Sequence, residues 1–181
     1  LVPAAAMRLW AEERRSGTIE LLLTLPVTLT QAILGKFIAA WIFLLVALLL
    51  TAPVVITTYY LGQPDTGVII GGYLGSFLLA GAYLAIGILT SAMTRNQVIS
   101  FVLALVVCLF LLLAGYPPVT EMFVRWAPAE VVQTLSAFSF MPHYDAIQRG
   151  VIDLRNLVYF ASVMIFMLFA AFLVLNNRKA A

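Results

Sequence analysis

Four stretches of this chain run for 18 residues or more without a single charged side chain, at about residues 37–60, 68–93, 98–115 and 157–175. A helix that crosses a bilayer core takes roughly 20 predominantly apolar residues. A core helix of a water-soluble domain rarely stays uncharged for so long. Every backbone amide in lipid must find its partner within its own segment, and these continuous runs are far longer than the ~10-residue alternating strands of a membrane barrel. The reading is therefore all-α: a polytopic helical membrane protein with four complete transmembrane helices.

Composition agrees. Of 181 residues, 64% are apolar types and 10% are charged, against about 25% charged in a soluble domain. So little polar surface excludes a soluble globular enzyme, a disordered segment and a coiled coil. No basic run is longer than Arg14-Arg15, so no basic face is offered to nucleic acid. Cys108, the single cysteine, excludes an internal disulfide and reads as a small buried hydrophobe.

The basic residues set the orientation. With the N-terminal segment cytoplasmic, Arg8, Arg14, Arg15, Lys36, Arg95, Arg178 and Lys179 face inward, and only Arg125, Arg149 and Arg155 face outward. Both ends are then cytoplasmic. Pro53 predicts a kink in the first span. Gly71-x-x-x-Gly75 predicts close approach of another helix to the second.

The outer segment 116–156 is too long for a turn. Val119, Met122, Phe123 and Trp126 recur at helical spacing among Glu121, Arg125 and Glu130, with Pro128 and Pro142 as breaks. This predicts one or two short helices near the outer interface, anchored by Trp126 and Tyr144. A half-inserted re-entrant hairpin is the alternative, and the sequence leaves both open.

Charge is concentrated in Arg8, Glu12, Glu13, Arg14 and Arg15, ahead of the break Ser16-Gly17-Thr18. Thr18 is placed to cap a short apolar helix over residues 19–25, with Glu20 in its first turn and Pro26 as its stop. Thr28-Leu29-Thr30-Gln31 then matches the capping-box pattern and predicts a second helix start. A short leucine-rich helix on the cytoplasmic side needs a cover: the bilayer surface, the bundle or a groove on a partner.

The run from Ala11-Glu12-Glu13-Arg14-Arg15-Ser16-Gly17-Thr18 through Leu25-Pro26-Val27, followed by Leu34-Gly35-Lys36, resembles the cytoplasmic loop of ABC-type-2 transporter permeases, closest to the gliding-motility-type branch. Gln63-Pro64-Asp65, Ser91-Ala92-Met93-Thr94-Arg95-Asn96-Gln97 and the stretch 149–155 are similar to that branch too. The resemblance implies a six-span subunit whose loop joins the second span to the third. Residues 1–9 would then be the tail of the second span, with the first span and most of the second absent. It divides the chain into residues 1–36, with the coupling helix, and a transmembrane domain over 37–181.

By the same resemblance, this subunit of a bacterial inner-membrane exporter pairs with a second permease subunit, as homo- or heterodimer, and with a cytoplasmic ABC ATPase dimer. The implied ATPase contact is Glu12, Glu13, Arg14, Arg15, Gly17, Thr18, Glu20, Leu21, Leu22, Thr24 and Arg95. The chain carries no G-x-x-x-x-G-K-[ST] run, so ATP hydrolysis is expected on the partner and no cofactor is expected here.

Three rivals carry less. An intramembrane enzyme needs ionisable groups within the spans, and the nearest candidates are His143, Tyr144 and Asp145, for which packing is the plainer reading. A secondary transporter would show buried charges or broken helices in repeated halves, and Pro53 is the only mid-span break. A structural membrane subunit is the third. Thr51, Thr57, Thr58, Tyr59, Tyr60, Tyr73 and Tyr83 either line a polar seam or bond their own backbone.

Overall fold

The computed structural model describes residues 2–17, 27–124, 137–150 and 153–177. Its helices are α1 (Val2–Ala6), α2 (Arg8–Ser16), α3 (Leu29–Leu49), α4 (Ala52–Leu61), α5 (Thr66–Met93), α6 (Gln97–Leu113), α7 (Pro117–Val124), α8 (Phe140–Gln148) and α9 (Leu154–Asn177). Among the described residues, three helical units are long and apolar enough to cross a membrane: Leu29–Leu61, counting α3 and α4 together, Thr66–Met93 and Leu154–Asn177. The fourth expected span is α6, with 17 residues. At 1.5 Å per residue it reaches about 25 Å, short of the roughly 30 Å core.

Helix starts follow their capping chemistry. Thr28 makes both halves of the expected capping box with Gln31, so α3 begins at the expected helix start, eight residues before the expected span boundary, and carries Lys36 within it. Asp65 caps α5 through the Gly67 N–H at 2.8 Å. Asn96 caps α6 through Val98 at 2.9 Å. The expected kink in the first span is a break: α3 ends at Leu49, and α4 restarts with Pro53 in its first turn, where a missing N–H costs nothing.

The hub is α5, against which α1, α2, α3, α6, α8 and α9 all pack. Lipid supplies little hydrophobic drive between helices, so close approach of small residues must do more of the holding. A Cβ at Gly71 would overlap the Ile147 carbonyl oxygen, and one at Gly87 would overlap Ala6. The expected Gly71–Gly75 approach is therefore made, and its partner is the short helix α8. Phe140, fully buried, stacks on Phe160 of α9 and meets Tyr83 of α5 edge-on. Outward faces of α3, α4, α6 and α9 expose Ile42, Phe43, Val54, Phe110 and Phe166, as lipid-facing surfaces do. Cys108 is buried.

The end of α6 is joined to the start of α8 in an economical way. Ser139, fully buried, caps α8 through the Met141 N–H and donates its hydroxyl to the Leu111 carbonyl at 2.9 Å. Tyr159 donates to the Phe138 carbonyl. Phe140 lies beside Tyr83 and Ile147 beside Gly71, so α8 runs antiparallel to α5, from Tyr83 toward Gly71. Trp126, the other expected anchor of this segment, lies outside the described residues.

Candidate functional site

Among the described residues, the junction of α2 and α3 brings an ion pair, a lysine–carbonyl bond and a cation over a ring together. Helix α2 starts at Met7, which offers no side-chain cap. Its cap comes instead from α5. The Ser91 hydroxyl accepts from the Trp10 N–H at 3.0 Å and the Ala11 N–H at 2.9 Å, and donates to the Met7 carbonyl at 3.0 Å. Ser91, Trp10 and Ala11 are fully buried. Three backbone groups left over at the α1–α2 break are thus satisfied by one side chain, without which each carries a desolvation cost.

On the other side of α2, Lys36 reaches back from α3. Its Nζ donates to the Leu9 carbonyl at 2.7 Å, forms an ion pair with Glu13 and sits 3.9 Å from the centroid of the Trp10 ring. Its side chain is 19% exposed and that of Glu13 30%, so the pair is sheltered enough to escape most of the screening that weakens surface ion pairs. Ser16 donates to the Glu12 carbonyl at 2.9 Å, and Gly17 ends α2 at φ +75°, a conformation that only glycine adopts without strain.

The result is that the segment 17–28 has both feet fixed. Its first foot, α2, is held to α5 by Ser91. Its second, the start of α3, is held to α2 by Lys36. Of the residues expected at the contact, Glu13 is inside this brace. Glu12 and Arg15 are exposed on α2, Gly17 is its exposed end, and Arg95 is exposed in the α5–α6 turn. Arg14 lies in α2, its side chain outside the described residues. Thr18, Glu20, Leu21, Leu22 and Thr24 lie outside the described residues altogether, as does the expected short helix.

Lys36, Trp10 and Ser91 were not among the expected contact residues. A lone lysine beside an apolar run reads as a side chain reaching for the headgroups. A serine one turn before a helix end carries no signal of its own. Only the shared motif positions Lys36 and Ser91 held a hint.

The triplet His143, Tyr144, Asp145 does not converge. His143 Nδ1 lies 2.8 Å from Asn156 Oδ1, with its ring stacked 3.9 Å from that of Tyr159. Tyr144 turns the other way, its hydroxyl 3.3 Å from Ser76 Oγ on α5. The arrangement is one of helix packing. Of the seam residues, Thr57 and Thr58 bond their own helix, while Thr51 reaches Tyr73 at 2.8 Å.

An all-helical bundle with three membrane-length helices, apolar outer faces and a charged loop base defines a polytopic helical membrane protein. Residues 3–176 match the family described as ABC-2 family transporter protein, and the chain belongs to that family as a transporter membrane component. No curated protein matches it. Members of such a family typically lack ATPase activity of their own and work with an ABC ATPase.

Proposed function

We propose that this chain is the permease of an exporter of the gliding-motility-type branch, and that the loop 17–28 is its handle. Residues 18–24 form the coupling helix and seat in a groove of the ATPase. Glu12, Arg14, Arg15 and Arg95 flank that groove and fix its register by charge. Two permease subunits and two ATPase subunits make the working unit, in the bacterial cytoplasmic membrane with both chain ends inside. Residues 1–36 transmit, and residues 37–181 form the path. Of the outer segment, the described helix α8 enters from the outer side alongside α5.

One observation carries the reading: one foot of the loop is tied to the hub helix by the buried Ser91 hydroxyl, and the other foot is tied to the first by the sheltered Lys36–Glu13 pair. A loop that only linked two spans needs no such brace. A loop that is pushed does, because a push is passed on only through rigid contacts. Asp, Glu, Lys, Arg and His are absent from the described interiors of α5, α6 and α9, which suits a mechanically driven path better than one coupled to an ion gradient.

The test is affinity purification of the detergent-solubilised protein, intact or with residues 18–24 scrambled. An ATP-binding subunit that co-purifies with the intact protein and is lost on scrambling is the expected result. A well-folded protein that brings down no ATPase in either form contradicts the reading.

A further inference from the structure

Helix α4 has no buried residue. It stands off the bundle like a bow, pinned to α5 at both ends: Thr51 to Tyr73 at 2.8 Å, and Tyr59 to Thr66 at 3.0 Å. Beneath it lies an open cleft of about 370 Å³ between α4, α5 and α8. Its apolar wall includes Leu48, Val55 and Ile69, and its polar side carries Tyr73, Ser76, Tyr144 and Gln148. A smaller cavity of about 230 Å³ shares Leu48, Thr51 and Ser76 with it and continues toward Ala80.

The chemistry of this lining is specific. None of its described residues is charged, so an ionic headgroup would lose its hydration there without compensation. The polar groups have capacity to spare. Thr51 donates to the Leu48 carbonyl at 2.6 Å, so Tyr73 is the donor in the Thr51–Tyr73 pair and keeps an acceptor site. One hydroxyl of the Ser76–Tyr144 pair keeps its proton for another acceptor, and Gln148 offers both a donor and an acceptor. Ser76 lies ten residues below Thr66, about 15 Å along the helix. A hydroxyl at that depth in lipid needs a partner, and here partners line the wall.

We infer that the cleft binds a neutral amphiphile, with an uncharged hydroxylated head against Tyr73, Ser76, Tyr144 and Gln148 and an aliphatic chain leaving past α4. Binding follows from the cleft alone. That the ligand is cargo rests on the permease reading.

The intact protein is placed in phosphatidylglycerol nanodiscs doped with a photoactivatable monoglucosyl diacylglycerol, or with photoactivatable phosphatidylglycerol of the same chains, without ATP or ATPase. Glucolipid adducts are expected on residues 48–55, 68–76 and 144–148. The double variant Tyr73→Phe, Tyr144→Phe removes two hydroxyls and lowers those adducts about tenfold, leaving the phosphatidylglycerol adducts unchanged. Gly72 faces open space, so Gly72→Trp fills the cleft and abolishes the glucolipid adducts. Unlabelled glucolipid competes and unlabelled phosphatidylglycerol does not. Identical patterns for the two lipids, or adducts indifferent to both variants, overturn the inference, as does a cleft found occupied by a second copy of the chain. Because no ATPase is present, its failure to co-purify leaves this result standing.

Discussion

Ser91 and Trp10 lie 81 positions apart in the chain, and the Ser91 hydroxyl caps the Trp10 N–H at 3.0 Å. The start of α2 is thereby completed by the helix at the centre of the bundle. Any movement of α2 is felt by α5, and through α5 by every helix packed on it.

Ser91→Ala removes an acceptor for two buried N–H groups and a donor to the Met7 carbonyl. We expect a loss of about 1–3 kcal/mol in the stability of the α1–α2 docking. A lowered thermal midpoint in detergent, with membrane insertion intact, checks it. An unchanged midpoint would show the cap to be dispensable.

Gly71→Ala places a methyl group on the Ile147 carbonyl oxygen, whereas Gly35→Ala meets open space. The first should destabilise α8 docking by about 1–3 kcal/mol through forced backbone shifts. The second should be neutral or stabilise α3 by roughly 0.5–1 kcal/mol. Thermal unfolding of the two variants side by side distinguishes steric approach from a general intolerance of helix substitution.

Gly17→Val should strain the end of α2, since φ +75° costs a β-branched residue about 1–2 kcal/mol. Nothing crowds the position, so the strain falls on the path of the loop alone. ATP-driven activity is expected to drop while insertion and bundle stability persist. Full activity would detach Gly17 from the coupling contact.

A reactive label at Asp65 should be modified from outside intact cells, and one at Asn96 only after permeabilisation. The capped turns that hold them lie at opposite ends of α5. The reverse pattern would invert the topology.

Much of this was legible in the sequence because each signal was local. The Thr28–Gln31 capping box, the Gly71–Gly75 approach and the uncharged runs are read within one or two helical turns. The extent of α6 was legible to within two residues, the apolar run reaching Gly115 and the helix ending at Leu113, but not that it falls short of the three membrane-length helices. The packing of α8 on α5 was not legible, because its contacts with Tyr83 and Gly71 lie more than fifty residues away in sequence. The brace was half legible: Glu13 stood out by charge, while Lys36 and Ser91 acquire their roles only when α2, α3 and α5 meet.

The central claim is that the loop's two feet act as one rigid piece, and the Glu13–Lys36 pair tests it most directly. The measurement is drug- or substrate-independent: permease-stimulated ATP hydrolysis in proteoliposomes holding the permease and its ATPase. Lys36→Met loses the ion pair and the bond to the Leu9 carbonyl, and should cut stimulation at least about tenfold while the ATPase still co-purifies. Glu13→Gln should cost less, because Lys36 keeps Leu9 and the Trp10 ring. Lys36→Met with full stimulation would contradict the account.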